Sequence, residues 1–183
     1  MRTGQRNTAA YGRVGHVHRR CRAADSRVMW VEVQDCVSSV AVVPDLSSRD
    51  KWAAIHEVIS RWPALSDANR DAIEHAVVAR ERIHSTAVGR GIALSHGELR
   101  GLSSLLVAVG VSRIGIEFAA VDRQPVHLLF VFATPPAQRT EYLQVLAAIC
   151  RLGRQGRLTG LWDSAVDTGT IERTLNQAFD PLH

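Results

Sequence analysis

His96 ends the run Ser85–Gly97 (STAVGRGIALSHG), whose residue types are those that handle phosphate. A neutral imidazole nitrogen is nucleophilic, and an unperturbed pKa of about 6.5 leaves most of the ring uncharged near neutral pH. Phosphoryl transfer asks a protein mainly to place donor and acceptor in line and to neutralise oxygens. Gly89, Gly91 and Gly97 let backbone N–H groups approach such oxygens, Ser85 and Thr86 offer hydroxyls, and Arg80 is the candidate cation. Each has an ordinary reading as well. A loop histidine is more often a solvated surface group than a catalyst. Arg80 suits the C-terminal end of its own helix, and Ser85-Thr86 suit a turn.

The other candidates are poorer. His127 sits inside an apolar run and reads as a hydrogen-bonded structural histidine, while His84, next to the loop, is open to either reading. His16-x-His18-x-x-Cys21 has metal-capable residue types but no second ligand cluster, so no metal site is expected. Cys21, Cys36 and Cys150 are scattered, without C-x-x-C spacing, which fits a reducing, intracellular setting. Trp30, Trp52, Trp62 and Trp162 are core or interface candidates, since no basic stripe interleaves them into a platform for bases.

The elements that must position these residues are those of one domain. A chain of 183 residues, 46% apolar and 22% charged, buries one sizeable core and is short for two. Its net charge of +4 is unevenly placed. Residues 1–28 hold seven arginines against Asp25, a charge of +6, which leaves the remainder at −2. The segment reads as a disordered basic extension, or as a start upstream of Met29, with the folded domain spanning 29–183. A mildly acidic domain gives no case for nucleic acid. The longest apolar stretches, Leu105–Val111 and Val126–Ala133, fall well short of the roughly 20 residues that cross a bilayer.

Residues 38–43 read as a strand stopped by Pro44. Ser47 or Ser48 can cap a helix with Trp52, Ile55, Val58, Ile59 and Trp62 on one face, ended by Pro63. Ser66 opens a second helix, with Ile73, Ala76, Val77, Arg80 and Ile83 at helical spacing. Residues 85–97 look too broken for a helix and read as a structured loop. The two apolar runs read as central strands covered on both faces, with residues 115–122 between them as a short strand or turn and Asp122 at its tip. Tyr142, Leu143, Val145, Leu146, Ile149 and Leu152 form a wide apolar helix face, and two shorter helices follow near 158–166 and 170–179. The expected fold is α/β: a mixed central sheet of about five strands with helices on both faces.

One frame in the sequence resembles a known family. The type 2 enzyme IIA domains of the bacterial phosphotransferase system, with fructose, mannitol and nitrogen-regulatory members, place an acid, six spacers, an aliphatic residue and glycine ahead of their histidine. Two spacers, aliphatic-Ala-aliphatic, proline, the phosphorylated histidine and a small residue follow. This chain reads Glu81, Val88-Gly89, Arg90-Gly91, Ile92-Ala93-Leu94, Ser95, His96, Gly97, lacking only the proline. Arg80-Glu81, Ser85-Thr86, Gly115-Ile116-Glu117-Phe118, Asp122, residues 125–130 and Pro135 continue the likeness over about residues 38–179. The resemblance implies a cytoplasmic phosphohistidine carrier with His96 as acceptor and Arg80 as active-site cation. It also implies a histidine-containing phosphocarrier protein as donor, a permease subunit or regulatory target as recipient, and no cofactor beyond the covalently carried phosphoryl group. Tyr142-Leu143 stands where the family has His-Leu; a phenol donates a hydrogen bond to phosphate but is neither a cation nor a proton relay near pH 7. Ser95 and Tyr142 are the features that favour a rival: a regulatory interaction module of the same fold with slow or absent transfer.

Overall fold

Two strands without a solvent-facing side dictate the architecture. β4 (Leu105–Ile116) and β5 (Val126–Thr134) are buried on both faces over most of their length, as near-continuous apolar runs require. A computed structural model describes residues 37–178 apart from Ser164. Its elements run β1 (Val37–Val43), α1 (Lys51–Ser60), α2 (Asp67–Ile83), β2 (Ala87–Gly89) and β3 (Ile92–Glu98). Then come β4, β5, a 3-10 turn (Pro136–Gln138), α3 (Arg139–Arg154) and α4 (Thr168–Ala178). The five strands form one mixed sheet in the order β1-β4-β5-β3-β2. β1 runs parallel to β4, β5 parallel to β3, and the β4–β5 and β2–β3 pairs are antiparallel.

Side-chain alternation divides the core in two. Ala93, Ala108, Leu129, Val131 and Ala133 face α1 and α2, against Ile55, Val58, Ile59, Ile73 and Val77. Leu94, Val107, Val109, Phe130 and Phe132 face α3 and α4, against Tyr142, Val145, Ile149, Ile171 and Leu175. Each fully buried Leu, Ile or Phe contributes about 2–3 kcal/mol relative to exposure. The expected mixed α/β sheet of five strands, with helices on both faces, is therefore present.

Several local expectations are corrected. Residues 85–97 are not a loop: Ala87–Gly89 and Ile92–Glu98 are strands, and His96 stands on the second. Glycine and serine weaken strand propensity, but pairing with β5 from Ile92↔Leu128 to Glu98↔Thr134 overrides it. α1 is capped by Asp50, whose carboxylate accepts from the N–H groups of Trp52 and Ala53. Ser47 and Ser48 instead bond the Glu57 carboxylate. Trp52 is off the buried face, with Lys51 Nζ 4.7 Å from its ring centroid, and Ile83 and Leu143 are exposed. Ser66 does cap α2. The stretch 158–166, Ser164 apart, is a series of turns and bends, because Gly156 and Gly160 take left-handed φ values of 74° and 86° that break a helix. Arg113 on β4 ties it down through the carbonyls of Trp162, Asp163 and Val166. The basic extension, Met29, Trp30, Cys21, Cys36 and the His16–Cys21 group lie outside the described residues.

Candidate functional site

The site lies toward the C-terminal end of β3, where the Leu94 carbonyl leaves the sheet's hydrogen-bonding pattern. Period-two alternation turns Leu94 and His96 to the α3 face and Ser95 to the α2 face. The half-buried His96 ring places Nδ1 3.0 Å from the Leu94 carbonyl oxygen. A carbonyl only accepts, so Nδ1 carries the hydrogen and the lone pair of the neutral ring resides on Nε2. Burial holds the ring below its ordinary value of 6.5. The Leu94 bond and the Glu81 charge oppose this, and the Arg80 charge reinforces it. A neutral, nucleophilic imidazole with one assigned nitrogen results.

Tyr142 lies on α3 across from this ring. The two ring centroids are 5.2 Å apart at 40°, and the phenol also packs edge-on against Phe132 at 5.5 Å. Burial pushes the Tyr142 hydroxyl up to about 12, with Arg80 pulling the other way, so the phenol stays neutral and is a hydrogen-bond donor. Arg80, in the last turn of α2, donates from Nη1 to the His84 carbonyl at 3.2 Å, and its charge acts on both His96 and Tyr142. It thus closes its helix end while standing near enough for its charge to bear on both rings.

Ser85 and Thr86 are committed to the framework. Ser85 Oγ donates to the Phe118 carbonyl at 2.8 Å. Thr86, buried, donates from Oγ1 to Glu81 Oε2 at 2.5 Å and shares a hydrogen bond of 3.2 Å with Ser95 Oγ. Glu81 has a fully buried side chain and also meets Lys51 Nζ at 3.3 Å. Glu81 belongs to the frame ahead of His96, where residue type alone assigns it no role. The available signal was an acid at fixed spacing from the histidine on an otherwise amphipathic helix.

Gly97 explains how α2 reaches the site: a Cβ there would stand 2.8 Å from Ala76 Cβ and 2.9 Å from the Val77 nitrogen. Below the site, Asp122 accepts from the N–H groups of Arg90 and Gln124, fixing the β2–β3 turn to the β4–β5 hairpin. These bonds, Arg90 first, hold its carboxyl below the usual value. His127 donates from Nδ1 to the Ser112 carbonyl and stacks on Trp162, as its place in an apolar run suggested. Among the described residues, no group of three or more His, Cys, Asp or Glu gathers as a metal site. Nor is any helix there long and apolar enough to cross a membrane.

The chain is similar to known proteins. The family model described as phosphoenolpyruvate-dependent sugar phosphotransferase system, EIIA 2, matches residues 37–177. A nitrogen regulatory protein of Bradyrhizobium diazoefficiens is 32% identical over 122 residues, covering 67% of this chain and 80% of that protein. A fructose-specific EIIA component of Haloferax volcanii is 39% identical over 83 residues, 45% of this chain and 54% of that one. The crystal structure of the nitrogen regulatory protein IIA-Ntr from Neisseria meningitidis superposes with a TM-score of 0.64 at 24% identity, covering 77% of this chain and 97% of that one. At such identity the superposition speaks for the fold.

Proposed function

The chain belongs to the EIIA type 2 family of the phosphoenolpyruvate-dependent sugar phosphotransferase system, and from that premise we propose that it is a phosphohistidine carrier whose acceptor atom is Nε2 of His96. The observation that carries this reading is the bond from His96 Nδ1–H to the Leu94 carbonyl, which leaves the Nε2 lone pair on a ring kept neutral by burial. In the reaction, Nε2 attacks the phosphorus of a phosphohistidine on the donor carrier protein. The new N–P bond forms as the donor's N–P bond breaks, and that electron pair returns to the donor imidazole. Arg80 offsets charge on the phosphoryl oxygens and the Tyr142 hydroxyl donates to one of them, with Ser85 and Thr86 supporting the wall behind. The group then passes to a permease subunit or reports to a regulatory target, in the cytoplasm, where such donors reside.

The test is incubation with a phosphorylated histidine-containing carrier protein, comparing the wild type with His96→Ala. Label on the first and none on the second is expected; an unlabelled wild type overturns the assignment. The second reading, a regulatory interaction module with slow or no transfer, rests on Tyr142, whose phenol cannot relay a proton near pH 7. It has the nitrogen regulatory relatives on its side. A large acceleration of labelling by Tyr142→His supports it, and rapid turnover of the wild type overturns it.

A further inference from the structure

β2 and β3 pair antiparallel with Ala87 opposite Ala93, so Thr86 stands opposite Leu94. Such a pair ordinarily exchanges two bonds, N–H to O=C in each direction. Only one is made between Thr86 and Leu94: Leu94 N–H donates to the Thr86 carbonyl at 3.1 Å. The other donor, Thr86 N–H, turns to the Glu81 carboxylate, with its oxygens at 3.1 and 3.2 Å. The Leu94 carbonyl, released from the ladder, accepts instead from His96 Nδ1.

We infer that the buried cluster of Glu81, Thr86 and Ser95 sets the tautomer of His96, by diverting the Thr86 N–H from the β2–β3 ladder so that the Leu94 carbonyl holds Nδ1–H. All three are positioning residues, acting on the phosphoryl chemistry only through the ring. The proposal rests on His96 as the acceptor for its functional meaning but not for its structural content. Thr86 is the hub: its hydroxyl and N–H both bond Glu81, its carbonyl holds Leu94 N–H, and Ser95 Oγ meets its hydroxyl. Leu94 and Ser95 flank the peptide whose carbonyl faces the imidazole, so that peptide is tied from both sides. Where the family frame has proline, which fixes its own backbone dihedral, this chain has a fully buried serine held by a side-chain bond. Lys51 supplies the countercharge that lets Glu81 stay in the core.

The test reads the ring directly. In the full chain labelled with nitrogen-15 and without any phosphodonor, two-bond nitrogen–hydrogen correlations of His96 should show one neutral tautomer, with the proton on Nδ1. The double variant Lys51→Met/Glu81→Leu removes the ion pair without leaving an orphan charge and returns the Thr86 N–H to Leu94. It should give a mixture of tautomers and labelling about tenfold slower, the worth of one hydrogen bond. Ser95→Ala leaves Glu81 fully bonded and should shift both readouts the same way by about threefold. Thr86→Ser, which keeps the hydroxyl and the N–H, should match the wild type. A native ring signature in both of the first two variants, or a wild-type proton on Nε2, overturns the proposal. A native protein that takes no label overturns the carrier reading instead, because the tautomer is measured independently.

Discussion

Adding one methyl group at Gly97 should damage the site from behind. A Cβ at this position would lie 2.8 Å from Ala76 Cβ, 2.9 Å from the Val77 nitrogen and 3.1 Å from the Ala76 carbonyl carbon. Comfortable contacts are about 3.5–4.0 Å, and two of these atoms are helix backbone, so relief requires α2 to move away by roughly 0.6–1 Å. Overpacking of this kind costs about 1–3 kcal/mol, a fall in melting temperature of roughly 3–10 °C for a domain of this size. The same helix carries Arg80 one turn further on, and a misplacement of about 1 Å reduces a positioned reaction by as much as ~100-fold. Gly97→Ala should therefore lose both stability, read by urea denaturation, and labelling rate, read by quenched phosphotransfer. Gly101→Ala is the reference: its Cβ would meet nothing within 4 Å, and it has only a φ of +90° to strain. It should cost about 1 kcal/mol and leave labelling unchanged. If Gly97→Ala loses stability yet labels at the native rate, the idea that the seating of α2 sets the site is wrong.

Three further outcomes follow from the site. Arg80→Gln removes a charge that depresses the His96 titration, so the ring should titrate higher by NMR while labelling falls; a downward move refutes the placement of Arg80. Because His96 titrates below 6.5 when folded, the folded state binds fewer protons than the unfolded chain between the two values. Its contribution to stability is complete above about 6.5 and is lost as pH falls through the folded value. The stability difference between wild type and His96→Gln should thus hold steady above about pH 6.5 and decline as the pH falls below it, and a rise would contradict the sign. Thr134 Oγ1 is buried and makes no hydrogen bond among the described residues. Thr134→Val should accordingly raise stability by about 1 kcal/mol in thermal denaturation, whereas a loss would mean that the hydroxyl is satisfied.

The sequence by itself determined the layers and picked out the candidate histidine. The apolar runs at 105–111 and 126–133 had to be central strands, since an unbroken apolar strand needs cover on both faces. Ser66 and Pro63 bounded helices by local rules, and the frame from Glu81 to Gly97 singled out His96. What local rules could not decide was settled by partners distant in the chain. Residues 92–98 have the composition of a loop and became a strand because β5 supplies a ladder along their whole length. Asp50 outcompeted Ser47 and Ser48 as a cap because Glu57, one turn and more along α1, engages both serines. Above all, the nitrogen of His96 that carries the lone pair depends on a carbonyl freed from its ladder by the Glu81 carboxylate on α2. Residue identity makes imidazole a nucleophile; only the tertiary hydrogen bonds decide which of its atoms is one.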